Sequence, residues 1–247
     1  MRRLFVLILL ALCLAPEANA ERARMTAEEA YALGLRYLKR GYYVKALEQF
    51  NRVRTYYRDD PYALKAELAI ADVHFKKDEW DAARVSYEDF LHAHPRYKDL
   101  DYVVYRLGLT LMKKAPVIAA RDQTWTRQAV NIWVGFSARF PESEYREEVD
   151  QEIAKSKDRL ARKELIIARF YGRRDAHVSV VGRIEDMLRL YPSSSDRVEA
   201  LGLLGEAYAS SGRLDLAGGA MTKLEEEAPK STAARRLRRT IDDSAVN

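Results

Sequence analysis

The stretch LGEAYASSGRLDLAGGAMTKLEEEAP, residues 204–229, decides the fold of this chain. Within it, the small residue Gly205 is followed by an aromatic residue three positions later, Tyr208, and by a second small residue twelve positions later, Ala217. Small side chains at this spacing let two successive helices cross closely, because larger side chains would push the backbones apart. The stretch therefore predicts two packed helices, and Pro229 marks the end of the second, since proline cannot continue a helix.

The same spacing recurs four more times along the chain. The further copies have their first small residue at Gly34, Ala71, Gly108 and Ala168, and they are followed by Pro61, Pro95, Pro141 and Pro192. In the third copy, an insertion from Lys113 to about Gln128 delays the second helix, which is expected to resume at Ala129. Each pair buries its apolar face only by stacking on the next pair. Five such units predict an all-α fold of five tetratricopeptide-like helix pairs in a right-handed solenoid with a concave groove.

One helix is expected to be longer than the repeat requires. No Gly or Pro occurs between Pro141 and Gly172, and this stretch is typical of a continuous amphipathic helix. We expect it to link two lobes. Residues 21–141 would hold repeats 1–3 and a substrate groove, and residues 142–247 would hold the long helix, repeats 4–5 and a C-terminal helix for partner docking. The C-terminal helix is expected to fray from Asp242 onward.

Residues 1–20 are predicted to be a secretory signal peptide. Two arginines precede an apolar run over residues 4–15, and Ala18-Asn19-Ala20 supplies the small residues of a cleavage site. We place cleavage after Ala20, which leaves a mature chain without cysteine, as suits an oxidising periplasm. The alternative is a lipid anchor at Cys13. Leu12 disfavours it, because lipoprotein sites take a small residue just before the cysteine.

The composition excludes several classes of protein. The 247 residues are 48% hydrophobic and 32% charged, with 11 Gly and 7 Pro, so disordered, collagen-like and multi-span membrane proteins are excluded. The net charge of +5 is mild, and export of the chain argues against a nucleic-acid partner. No catalytic constellation is present, and His92 and His94 read as a solvated helix end without a third metal ligand. We therefore expect a non-enzymatic binding protein that uses neither a cofactor nor a metal.

The first helix of each pair gives a candidate peptide-binding groove, because this helix lines the concave face of the predicted solenoid. The aromatic residues on this face are Tyr31, Phe75, Tyr102 and Tyr105, and the lysines that recur there every 37 residues are Lys39, Lys76 and Lys113. Such a surface suits an extended peptide with aromatic side chains and a free carboxylate. Another explanation stays open for each group. The helix dipole favours lysine at a helix C-terminus without any ligand, and the tyrosines also suit packing between repeats.

Several segments of the chain resemble one known family. LDYVVYRLGLT (residues 100–110), FPESEY (140–145) and VVGRIEDMLRLYP (180–192) together resemble the BamD (ComL) family of outer-membrane protein assembly factors. The resemblance implies a scaffold at the periplasmic face of the outer membrane. Its last two repeats would bind the periplasmic domains of the barrel-forming subunit BamA, and its first three would receive unfolded outer-membrane proteins through their C-terminal β-signal. Other lipoproteins of the assembly machinery are further implied partners.

The resemblance also extends to two short motifs. Pro61-Tyr62 matches a Pro-Tyr of the family near the substrate groove, which implies that Tyr62 belongs to the groove. Arg121-Asp122 matches part of an Arg-Asp-Pro loop in the inserted segment, with Gln123 where the family has proline.

Charges on the first helix of the fifth repeat are candidates for docking on BamA. Arg197, Glu199 and Glu206 lie on its polar faces, and charges of this kind steer and orient association. The alternative function is another periplasmic tetratricopeptide adaptor with a different partner, for example one that coordinates cell-envelope or cell-wall work. An envelope hydrolase is excluded, because repeats fill nearly all of the predicted mature chain.

Overall fold

The computed structural model describes residues 25–246, so the predicted signal peptide, its cleavage site after Ala20 and Cys13 lie outside the described part of the chain. Within residues 25–246 all regular secondary structure is helical, as the repeat spacing predicts. The helices are α1 (Ala27–Lys39), α2 (Tyr43–Tyr56), α3 (Pro61–Lys76), α4 (Trp80–Ala93), α5 (Leu100–Lys114), α6 (Thr124–Trp133), α7 (Phe136–Arg139), α8 (Arg146–Gly172), α9 (His177–Leu190), α10 (Arg197–Ser210), α11 (Leu214–Glu227) and α12 (Thr232–Val246). None of these described helices combines the length and the apolar composition that crossing a bilayer requires.

The helices divide into two compact units, the first ending at Val103 and the second beginning at Val104, inside α5. The predicted boundary between residues 141 and 142 lies within the second unit. The third helix pair groups with the later helices because α6 and α7 pack against α8. The separate functions assigned to the two lobes stay predictions.

The first unit contains the helix pairs α1–α2 and α3–α4. The Tyr57 hydroxyl donates a hydrogen bond to the Met25 carbonyl, so the end of α2 lies beside the start of α1 and this pair is antiparallel. Gly34 on α1 packs against the buried ring of Phe50, and a Cβ at Gly34 would lie 2.5 Å from that ring. Helix α3 packs on both α1 and α2, which is the contact between successive tetratricopeptide units that the spacing predicts.

The third helix pair departs from the predicted pattern in its second helix. Trp133 on α6 is fully buried, and a Cβ at Gly108 on α5 would lie 2.0 Å from its ring. The second helix then breaks, because Gly135 adopts a left-handed conformation with φ of 77°, and only the short α7 follows. The second helix also begins at Thr124 rather than at Ala129, so the insertion is shorter than the sequence predicts.

The long helix is confirmed as α8, which runs without interruption for 27 residues. Its buried face and the buried faces of α9 and α10 form one apolar core. The large side chains of this core include Leu165 of α8, Ile184 and Met187 of α9, and Leu204 and Tyr208 of α10. Helix α8 contacts α6, α7, α9 and α10, so it connects the third helix pair to the later helices of the second unit.

Helix α12 closes the second unit. It packs on α10 and α11 and buries Ala233, Ala234 and Leu237 against them. The expectation that the chain frays from Asp242 is wrong, since α12 continues to Val246. Part of the reason lies at Ile241, which packs against the buried residues of both cores in this unit.

Candidate peptide-binding and docking surfaces

Tyr31 and Tyr62 lie together in the first unit. The two ring centroids are 5.4 Å apart, and the Tyr31 ring also lies 5.6 Å from that of Phe50. Burial, followed by the charge of Asp72, raises the pKa of Tyr31, and a hydrogen bond with Glu28 raises the pKa of Tyr62. Both phenols therefore stay neutral in the physiological range and offer apolar faces with hydroxyl groups.

Tyr102 is hydrogen-bonded to Asp72 of the first unit. The Asp72 carboxylate accepts hydrogen bonds from the Tyr102 hydroxyl at 2.7 Å and from the Tyr87 hydroxyl at 2.6 Å. One carboxylate thus joins residues of three helices, α3, α4 and α5. This geometry supports the packing explanation of Tyr102, whose ring is nevertheless only half-buried.

The remaining groove candidates divide between the two units. In the first unit, Phe75 packs edge-on against Trp80, with 5.1 Å between the ring centroids. In the second unit, Tyr105 stacks on Tyr145 at 4.5 Å. Burial, with a hydrogen bond to Glu148 as the next cause, raises the pKa of Tyr105 to about 12.

The three lysines share one helical position. Lys39, Lys76 and Lys113 are exposed, and each lies in the last turn of the first helix of its pair. This is the end of a helix where the dipole favours a cation. The position satisfies the helix-dipole explanation of the lysines and is also compatible with contact to a carboxylate ligand.

Two histidines have carboxylate partners that the sequence does not predict. His94 Nε2 lies 3.1 Å from Glu67 Oε2, so the expectation of a purely solvated helix end is wrong for His94. The partner is missed because Glu67 lies on α3, far from His94 in sequence. His74 has its Nδ1 2.7 Å from Glu79 Oε2. Within residues 25–246, no three His, Cys, Asp or Glu side chains are grouped so that they could hold a metal ion.

Two of the three proposed docking charges belong to one ion-pair network in the second unit. Arg236 of α12 donates from Nη2 to Glu199 Oε1 and from Nε to Glu206 Oε1, each at 3.0 Å. Arg169 of α8 reaches the same Glu199 oxygen at 3.0 Å. Burial alone would raise the pKa of Glu199, but the hydrogen bonds from Arg236 and Arg169 outweigh it and lower this pKa. The network connects α8, α10 and α12.

The third proposed docking charge, Arg197, has its own partner within the chain. Its guanidinium forms a two-pronged ion pair with Glu227 on α11, with donor–acceptor distances between 2.8 and 3.0 Å. Sequence reasoning missed these partners because they lie 30 or more residues away along the chain.

A cleft of ≈ 330 Å³ opens beside this network, and we call it the arginine cleft. Its charged and titratable lining residues are Arg169, Arg173, His177, Glu199, Glu206 and Arg236, and its larger apolar ones are Val180 and Leu203. The arginines outnumber the glutamates, so the cleft is positively charged. It can therefore bind an acidic segment that also inserts an apolar side chain.

Comparison with known proteins agrees with the resemblance seen in the sequence. The family model YfiO, described as an outer membrane lipoprotein, matches residues 23–223. The outer membrane protein assembly factor BamD of Pasteurella multocida strain Pm70 is 33% identical over 199 residues, which cover 77% of this chain and 76% of that protein. The protein of the same name from Haemophilus influenzae strain Rd is 28% identical and covers 94% of both chains.

Among solved structures, the chain is similar to the TPR2AB-domain:pHSP90-complex of yeast Sti1. The sequence identity is 14%, the TM-score is 0.45, and the match covers 89% of this chain and 83% of that one. The family model, by contrast, extends from just before α1 into α11. Because that match covers most of the chain and a relative of the same kind is 33% identical, the chain belongs to the YfiO family.

Proposed function

We propose that this protein is a non-catalytic scaffold for outer-membrane protein assembly. The family match over residues 23–223 carries the proposal, because it includes the helices of the groove and most of the arginine cleft. The names of the relatives identify them as outer membrane protein assembly factors. By the same reasoning, the protein acts at the periplasmic face of the outer membrane.

The proposed substrate is an unfolded outer-membrane protein, bound through its C-terminal β-signal. The contact between Tyr31 and Tyr62 supports this role, because two adjacent phenol rings offer an apolar seat for an aromatic side chain. Lys39 and Lys76 are exposed at helix ends of the same unit and supply cations for a terminal carboxylate. Phe75, Tyr102, Tyr105 and Lys113 complete the proposed set.

The proposed partner of the second unit is the periplasmic part of BamA. The ion pairs of Arg197, Glu199 and Glu206 within the chain give these residues a positioning role: they hold α10, α11 and α12 together around the arginine cleft. Arg173 lies exposed in the cleft lining and is the residue on which we expect an acidic group of the partner to dock.

Copurification from solubilised outer membranes tests the function. We expect the tagged full-length protein to retain a barrel protein with periplasmic repeats. Arg173→Glu should weaken this retention, because it reverses a charge in the cleft. Arg189→Glu, on the exposed face of α9 outside the cleft lining, is the matched control. Copurification without any such barrel protein would contradict the proposal and favour a periplasmic adaptor with another partner.

Deletion of residues from Asp196 onward tests the division of labour. The truncated protein lacks α10, α11 and α12, so we expect it to lose BamA while the helices of the first three pairs still bind a β-signal peptide. If peptide binding is lost as well, although circular dichroism shows that the remaining helices are folded, the assignment of the two functions to separate helix pairs is wrong.

A further inference from the structure

The connection between α5 and α6 presents an exposed apolar tip. Residues 115–120 are all apolar, and within them Val117 is 84% exposed and Ile118 is 59% exposed. We call residues 115–123 the tip loop. Scattered apolar residues are common on protein surfaces. Val117 and Ile118, however, are adjacent and exposed together, so they form one continuous apolar patch.

A buried glutamine holds this loop in place. Gln123 is fully buried, and its Nε2 donates to the carbonyls of Pro116 at 3.2 Å and Ile118 at 3.0 Å. Its Oε1 accepts a hydrogen bond from the buried Thr126 hydroxyl at 2.6 Å. The two carbonyls bracket Val117, so the buried amide fixes the backbone on both sides of the most exposed residue. The tip is therefore preorganised rather than a loose connection.

Basic residues flank the apolar run in the sequence, although the tip loop itself also contains Asp122. Lys113 and Lys114 precede the apolar run, Arg121 follows it directly, and no acidic residue occurs between Asp101 and Asp122. The Lys114 ammonium lies 4.3 Å from the centre of the Trp125 ring, at the base of the loop. An apolar patch with cations and an indole at its base has the composition of a segment that enters the boundary between lipid headgroups and acyl chains.

From this arrangement we infer that the tip loop inserts Val117 and Ile118 into the surface of an anionic phospholipid bilayer. The cations favour this occupant, because each lysine or arginine near an anionic membrane strengthens attachment. An apolar groove of a protein would also accept the two side chains, but it would not require basic residues on both sides of the tip. The inference does not depend on the proposed assembly function.

A fluorescent label at the tip tests insertion. The chain from Glu21 contains every described residue and no cysteine, so Val117→Cys provides a single site for an environment-sensitive NBD label. We expect a blue shift and higher emission with vesicles of phosphatidylcholine and phosphatidylglycerol, and a weaker response with phosphatidylcholine alone. Val178→Cys is the matched control, because Val178 is 87% exposed in the same unit but lies outside the loop.

Binding of unlabelled variants provides the second measurement. In vesicle flotation, the double change Val117→Asn and Ile118→Asn should weaken binding about tenfold, since it removes the apolar patch. Arg121→Gln should weaken binding to anionic vesicles about fivefold, whereas Arg189→Gln should not. Equal label responses at positions 117 and 178, or unchanged flotation of the double variant, would overturn the inference. A label response that needs a copurified protein instead of lipid would identify the tip as a protein-docking site and would also overturn it.

Discussion

At the scale of single residues, the close contact between Gly108 and Trp133 requires glycine at position 108. A methyl group at Gly108 would overlap the indole of the fully buried Trp133, so the packing around the ring would have to shift. We expect Gly108→Ala to lower the free energy of unfolding by about 1–3 kcal/mol, although alanine is the better helix former. Urea denaturation followed by circular dichroism measures the change.

Gly218→Ala is the control for that prediction. Gly218 lies in the middle of α11, and a Cβ added there meets no atom within 4 Å. We expect it to raise stability by about 0.5–1 kcal/mol, because alanine loses less backbone entropy than glycine in a helix. Equal effects of the two substitutions would contradict the close approach as the reason for glycine at position 108.

Glu199 makes the stability of the second unit sensitive to acid. Its pKa is lowered in the folded protein by Arg236 and Arg169, so its stabilising contribution is complete above the unfolded value of 4.5. The contribution is lost as the pH falls through the lower, folded value. We expect wild type to lose more stability than Glu199→Gln between about pH 6 and pH 3 in urea melts. Glu225→Gln, which removes an exposed ion pair with Arg238, should leave the pH profile of wild type unchanged.

At the scale of helices, α12 holds the end of the second unit. Leu237 is fully buried, and one of its methyl groups would lie 2.4 Å from a Cβ at Gly205 on α10. We expect Leu237→Ala to destabilise the protein by about 2–5 kcal/mol, because it leaves a cavity beside α10.

Hydrogen exchange locates the effect of that substitution. The amides of α10 and α11 should exchange faster in Leu237→Ala, and those of α1 to α4 should not change. Arg239→Ala, an exposed change on the same helix, should stay within about 0.5 kcal/mol of wild type. Uniformly faster exchange along the whole chain would show that α12 does not act locally.

Most helix positions can be predicted from the sequence, because the residues that begin or end a helix lie within it or next to it in the chain. The glycine-free stretch after Pro141 forms α8, as its position predicts, whereas Pro61, expected to stop the preceding helix, is the first residue of α3. The break at Gly135 has no such signal, since a single glycine inside an apolar pattern is also compatible with a continuous helix.

Less of the candidate site follows from the sequence, because its contacts join distant residues. The aromatic positions of the groove are predicted by the repeat, yet the bond between Tyr102 and Asp72 needs α3 and α5 to approach each other. Arg236 lies in a run of basic residues whose partners the sequence does not indicate, and its packing on α10 pairs it with Glu199 and Glu206. The spacing of residues in the sequence does not determine the crossing angle of two helices, and this angle decides which of their side chains meet.

At the scale of the whole molecule, substitutions of the three lysines test whether the groove binds the C-terminal carboxylate of a peptide. One exposed ion pair contributes about 0–1 kcal/mol, so each single Lys→Glu change at position 39, 76 or 113 should weaken peptide binding a few-fold at most. The triple change reverses the local field and should abolish binding of a labelled β-signal peptide at low salt.

Amidation of the peptide C-terminus provides the complementary measurement. Removing the carboxylate should reproduce much of the loss with the wild-type protein and should have little further effect on the triple variant. Fluorescence anisotropy of the free-acid and amidated peptides against both proteins gives the four affinities. Four equal values, with circular dichroism unchanged, would mean that the lysines only compensate the helix dipoles.

We expect helix α12 also to limit self-association. The face of α10 and α11 that it covers is the kind of surface on which a further repeat would stack, while its own outer side carries Arg235, Arg238 and Arg239. Without α12, we expect that face to accept the first helix pair of another copy in a head-to-tail contact. Contacts of this type do not close into a ring unless the rotation allows it, so they propagate into filaments. We therefore expect α12 to cap the stack of repeats, so that copies of the chain do not associate into a polymer.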